Sequence, residues 1–94
     1  MTLEQVRAEI SKVDDGIIRL IVKRQELAKR VAEIKIREGI SIHDGKRTAE
    51  VLESVFDQAV ESRIDPVAVQ KIFEILIAMS EERQKECSGD GNLP

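Results

Sequence analysis

Hydrophobic residues recur along the first third of the chain in alternating steps of three and four. They are Leu3, Val6, Ile10, Val13, Ile17 and Leu20, then Leu27, Val31 and Ile34, with Arg24 at the one polar step. This spacing keeps the side chains on one side of an α-helix and is the heptad pattern of helix-on-helix packing. Ile18, Ile21, Ala28 and Ala32 widen the stripe, so more than one helix is expected to pack on it. The start is marked by Thr2-Leu3-Glu4-Gln5, which has the form of a capping box. The stop is expected after about Arg37, with Gly39 supplying the left-handed residue that ends a helix. At 1.5 Å per residue such a helix spans about 50 Å, too long for the rest of one short chain to cover.

Two further helices follow from the same reasoning. Asp44 is placed to cap a second helix over about Lys46 to Glu61, with Val51, Leu52, Val55, Phe56, Ala59 and Val60 on one face. Asp65-Pro66 reads as an acid cap followed by proline in the first turn of a third helix. Val69, Ile72, Phe73, Leu76, Ile77 and Met79 form its apolar side. Residues 1–86 are thus expected to form one all-α domain, and residues 87–94, with their Ser-Gly-Asp-Gly run, a disordered tail. No strand pattern, repeat or second domain is present.

Composition changes the picture in two ways. A chain of 94 residues with one cysteine, Cys87, has no intrachain disulfide. A chain of this size buries only roughly 60–65% of its unfolded surface, so association with a second copy is the expected source of further core. The 15 Lys and Arg against 18 Asp and Glu, with Phe56 and Phe73 the only aromatics, argue against a nucleic-acid groove. One His and one Cys exclude a Cys/His zinc site. No apolar run nears the ~20 residues of a membrane span. The first helix begins with charged residues and no secretory signal, so a cytoplasmic protein is expected.

The residues that break the apolar pattern carry the chemistry. Arg24 stands in the middle of the seam, where a guanidinium needs an anion or a route to water. Lys35 lies eleven residues on, about 20° around the helix and ~16 Å along it, so both side chains can lean over Ala28 and Ala32. On the third helix, Phe73 and Ile77 give way at helical spacing to Ser80 and Gln84. Arg47 and Thr48 open the second helix beside the loop that holds Asp44. Each residue alone has a plainer reading: a snorkelling Arg, a solvated Lys, a frayed helix end, a first-turn surface pair. Arg7 lies ~25 Å from Arg24 along the helix and reaches the same ligand only from an antiparallel partner helix.

Arg7, then Arg24-x-x-Leu27-Ala28, Ile34-Lys35 and Asp44-x-x-Arg47, with Ser80 and Gln84 on the last helix, resemble the all-helical chorismate mutases. The resemblance covers about residues 3–86. It implies an intertwined antiparallel homodimer, three helices per chain, that rearranges chorismate to prephenate without metal or cofactor. By that pattern Arg24 and the other chain's Arg7 bind the two substrate carboxylates. Lys35 and Gln84 would hydrogen-bond the ether oxygen, while Asp44, Arg47 and Ser80 shape the anion site. One position departs: the family typically has Glu after this arginine, where it accepts a hydrogen bond from the substrate's ring hydroxyl, and this chain has Thr48. A threonine hydroxyl also accepts but is shorter and uncharged, so activity with altered substrate binding is expected.

Three other readings share parts of this pattern. An isochorismate pyruvate-lyase uses the same scaffold and carboxylate clamp. A chorismate-sensing relative would bind without turnover. A non-enzymatic coiled-coil module explains the heptads, but neither Arg24 in the seam nor Ser80 and Gln84 on an apolar face.

Overall fold

The computed structural model describes residues 1–88. They form three helices: α1 (Leu3–Glu38), α2 (Gly45–Glu61) and α3 (Pro66–Ser88). Helix α3 therefore continues through Cys87 and Ser88, two residues past the expected end of the helical domain. The rest of the expected tail lies outside the described residues.

Local chemistry accounts for each helix end. The Thr2 hydroxyl accepts from Gln5 N at 3.1 Å and Gln5 Oε1 accepts from Thr2 N at 2.8 Å, completing the capping box. At the other end Gly39 adopts φ 70° and Ile40 N donates to Lys35 O at 2.8 Å, closing the last turn as expected. Asp44 Oδ1 accepts from Arg47 N at 3.0 Å at the start of α2. Asp65 Oδ1 accepts from Val67 N and Ala68 N at 3.0 and 3.3 Å, leaving Pro66 in the turn position that needs no donor. The end of α2 carries no sequence signal. There Arg63 takes φ 57°, a left-handed conformation usually left to glycine, while Ile64 N donates to Ala59 O at 3.1 Å.

Helix α3 packs along both α1 and α2, whereas among the described residues the backbones of α1 and α2 do not come close to each other. The short 62–65 connection makes α2 and α3 an antiparallel hairpin. Arg24 meets Ser80 and Lys35 meets Gln84, so α1 and α3 run in the same direction. Small side chains let them approach: Ala28 and Ala32 of α1 and Ala59 of α2 are buried, with Val55 beside them.

Little else is covered. Leu3, Ile10, Val13, Ile17, Ile18, Leu20, Leu27, Val31 and Ile34 are all exposed in the single chain, and Val60 and Ile72 are exposed as well. The radius of gyration is 16.6 Å, against about 12 Å for a compact domain of this length. The chain measures 54 × 27 × 20 Å, its long dimension set by α1. The heptad seam of α1 thus lies largely in solvent in the single chain.

Candidate active site

Arg24 is half-buried where α1 faces α3, and α3 holds it by one nitrogen. Its Nη1 donates to Ser80 Oγ at 2.9 Å and to the Leu76 carbonyl at 3.3 Å. Ser80 Oγ in turn donates to Leu76 O at 3.1 Å, so a residue that interrupts the apolar stripe serves as the bracket for the guanidinium. The cation also sits 5.9 Å from the centre of the Phe73 ring. Among the described residues no carboxylate lies within 4.0 Å of Arg24, and its Nε and Nη2 donors have no protein partner.

Lys35 is held in a similar way. Its Nζ donates to the Ile42 carbonyl at 2.7 Å, drawing the 39–44 connection over the end of α1. It also donates to Gln84 Oε1 at 2.9 Å. Gln84 is the one buried polar residue among those described, at 7% exposure. Its carbonyl oxygen is occupied by Lys35, which leaves its amide NH2 free to donate elsewhere. One N–H of Lys35 is free on the same grounds. Two donor groups therefore stand side by side with no further acceptor among the described residues.

These side chains open on a single cavity of about 430 Å³. Its walls include Arg24 and Lys35 from α1, Asp44 before α2, Arg47 and Thr48 in its first turn, and Ser80 and Gln84 from α3. Ala28, small and buried, leaves the space between the two long cations, while Val31, Val51 and Ile77 supply apolar surface. Asp44 serves as the cap that fixes the first turn of α2: its side chain takes Arg47 N and its carbonyl takes Thr48 N at 3.0 Å. The Arg47 side chain is anchored only loosely, 3.7 Å from Glu50 on the exposed side.

Seven of the eight sequence-predicted residues thus converge on one cavity, and Arg7 does not. Arg7 is exposed on the free part of α1, seventeen residues and ~25 Å before Arg24. One charged wall residue was not foreseen. Glu81 lines the cavity, and its Oε1 lies 2.9 Å from Nδ1 of His43, the only histidine of the chain. The signal was available, because Glu81 adjoins Ser80 and precedes Gln84 by one helical turn. His43 approaches it only through the path of the loop.

A second groove, of about 850 Å³, runs between α1 and α3 and contains none of the predicted site residues. Its charges nearly balance: Lys29, Arg30 and Arg83 face Glu26, Glu33, Glu82 and Glu86. The smaller cavity has the opposite bias, with Arg24, Lys35 and Arg47 against Asp44 and Glu81. The smaller one is therefore the better receptor for a small anion. Among the described residues no three His, Cys, Asp or Glu side chains form a metal-holding group. No helix among them is long and apolar enough to cross a membrane.

Comparison with known proteins gives a consistent result. The family model described as chorismate mutase type II matches residues 6–85. The chain is 37% identical over 84 residues to the chorismate mutase of Methanocaldococcus jannaschii, covering 89% of this chain and 85% of that protein. It is 40% identical over 53 residues to a bifunctional chorismate mutase/prephenate dehydratase of Aquifex aeolicus, covering 56% of this chain and 15% of the other. A protein of the same description from Buchnera aphidicola subsp. Schizaphis graminum is 29% identical over 80 residues, covering 85% of this chain and 21% of the other.

Proposed function

The chain belongs to the type II chorismate mutase family, and from that membership we propose that chorismate is rearranged to prephenate in the cavity walled by Arg24, Lys35 and Gln84. The reaction serves the biosynthesis of aromatic amino acids. It is a unimolecular pericyclic shift, in which a carbon–oxygen bond breaks as a carbon–carbon bond forms. The protein need only hold the reactive chair conformer and oppose the charge that develops in the transition state.

The observation that carries this reading is the pair of free donors on Lys35 and Gln84. The 2.9 Å bond from Lys35 Nζ to Gln84 Oε1 sets the ammonium beside the carboxamide that carries the free NH2. Negative charge grows on the ether oxygen as its bond to carbon lengthens, and both donors meet it there. Because that charge is small in the ground state, the gain appears in kcat more than in substrate affinity. Arg24, with Nε and Nη2 free, takes one substrate carboxylate, and Ser80 keeps the guanidinium from turning away. Asp44 shapes the first turn of α2 so that Arg47 and Thr48 border the anion site.

Charge also argues for a second chain. Three cations and two carboxylates leave the cavity one positive charge short of neutralising a dianion. Arg7 is on the uncovered part of α1, among the apolar seam that needs a partner. In an antiparallel pairing of two α1 helices, Arg7 of each chain supplies the missing charge to the other's cavity. The resulting intertwined homodimer buries the seam and completes two equivalent sites. A cytoplasmic location, expected from the charged start of α1, belongs to the same reading.

The test is direct. Purified protein is given chorismate and isochorismate separately, with loss of chorismate absorbance followed and the products identified. Prephenate from chorismate is expected, from a species of twice 10.6 kDa by light scattering. A folded dimer that turns over neither compound, or that releases pyruvate from isochorismate alone, overturns the proposal.

A further inference from the structure

Glu81 is the wall residue that the mechanism leaves without a task. A carboxylate in a cavity that receives a dianion weakens binding unless it meets a donor on the ligand. Chorismate offers two carboxylates and an ether oxygen, all acceptors, and a single donor, its ring hydroxyl. The other acid in the wall, Asp44, is engaged as the cap of α2 through the Arg47 amide at 3.0 Å. Glu81 is not engaged in that way. Its Oε1 takes the His43 ring at 2.9 Å, its side chain is 27% exposed, and its Oε2 has no partner among the described residues. Thr48, which lines the same cavity from α2, has a hydroxyl that is shorter than a carboxylate side chain and accepts less strongly.

We propose that Glu81 is a substrate-contacting, specificity-determining residue whose free oxygen accepts the hydrogen bond of the ring hydroxyl, with His43 as the residue that positions it. The inference rests on the cavity being the chorismate site. It places the hydroxyl-reading group on α3 rather than on α2, one residue after the serine that holds Arg24. His43, on the loop that Lys35 draws in through Ile42, acts only by holding the carboxylate and does not touch the substrate.

Wild-type turnover of chorismate is measured first, and its absence counts against the site reading, not against Glu81. With turnover established, KM for chorismate and the inhibition constant of an analogue lacking the ring hydroxyl are compared in wild type, Glu81→Gln and His43→Ala. Loss of a hydrogen bond to a charged acceptor predicts a rise in KM of about tenfold or more for Glu81→Gln. The inhibition constant of the deoxy analogue stays the same or falls. His43→Ala raises KM in the same selective way but by less. A KM unchanged or lowered by Glu81→Gln overturns the proposal, since the carboxylate then only repels the substrate or faces water. Equal losses for chorismate and the analogue overturn it too, because they report damage to the site as a whole. A larger effect of His43→Ala than of Glu81→Gln removes the positioning role. Helical circular dichroism and dimer mass, unchanged in both variants, keep these outcomes interpretable.

Discussion

Consider two variants, Arg7→Ala and Arg24→Ala, denatured together and refolded as an equal mixture. Along α1 the two arginines are seventeen residues apart, or ~25 Å, while the cavity that holds Arg24 has a volume of about 430 Å³. One chain therefore cannot direct both side chains at one small molecule. On the proposed sharing of Arg7, each site in either variant homodimer lacks one carboxylate clamp. A hydrogen-bonded charge contact is worth about 1.5–3 kcal/mol, so each homodimer is expected to retain roughly a tenth of wild-type kcat/KM or less. Random reassortment makes about half the dimers mixed. In each mixed dimer one site carries both defects and the other carries none. The mixture should therefore recover about a quarter of wild-type turnover, well above the mean of its parents. The assay is initial-rate loss of chorismate absorbance, with the mixed dimer verified by mass using one tagged chain. Recovery no greater than the parental mean, with mixed dimers present, refutes the antiparallel sharing of Arg7.

Three further outcomes test other parts of the structure. Lys35→Ala removes the ammonium proposed to meet the ether oxygen and is expected to lower kcat by about 10²–10³ with a smaller change in KM, read from steady-state kinetics. Arg63→Gly relieves the left-handed residue at the end of α2 and should stabilise the fold by about 1 kcal/mol, seen as a Tm rise of roughly 4–8 °C with kcat unchanged. Ala32→Leu places a larger side chain at a position with 0% exposure and is expected to cost about 1–3 kcal/mol in chemical denaturation, as α1 and α3 are forced apart.

Much of this molecule was legible residue by residue. The capping box at Thr2, the glycine stop at Gly39 and the acid caps at Asp44 and Asp65 all appear where the sequence placed them. Each depends on groups within a few residues of one another. The left-handed Arg63 was not legible, because nothing in its side chain favours that conformation; the chain reverses there so that α3 can lie along α2. Arg24 was flagged because a charge in a seam of aliphatic side chains is costly, and the structure supplies Ser80, the Leu76 carbonyl and the Phe73 ring to hold it. Glu81 was not singled out, although it lies between two residues that were, Ser80 and Gln84.

The sequence by itself determined three helices, the starts of all three and the stop of the first, and a first helix whose apolar stripe a single chain leaves exposed. Periodicity and capping are local properties, set within one or two helical turns, so they survive without knowledge of the fold. Only the tertiary structure decided which polar groups share a cavity. That depends on how α3 is rotated about its axis and shifted along α1, and both are set by its seat on Ala28 and Ala32. This seat turns Ser80 to Arg24, Gln84 to Lys35 and Glu81 to the open wall. A rotation of one residue, about 100° on a helix, would have sent those three side chains elsewhere while leaving every local signal in the sequence unchanged.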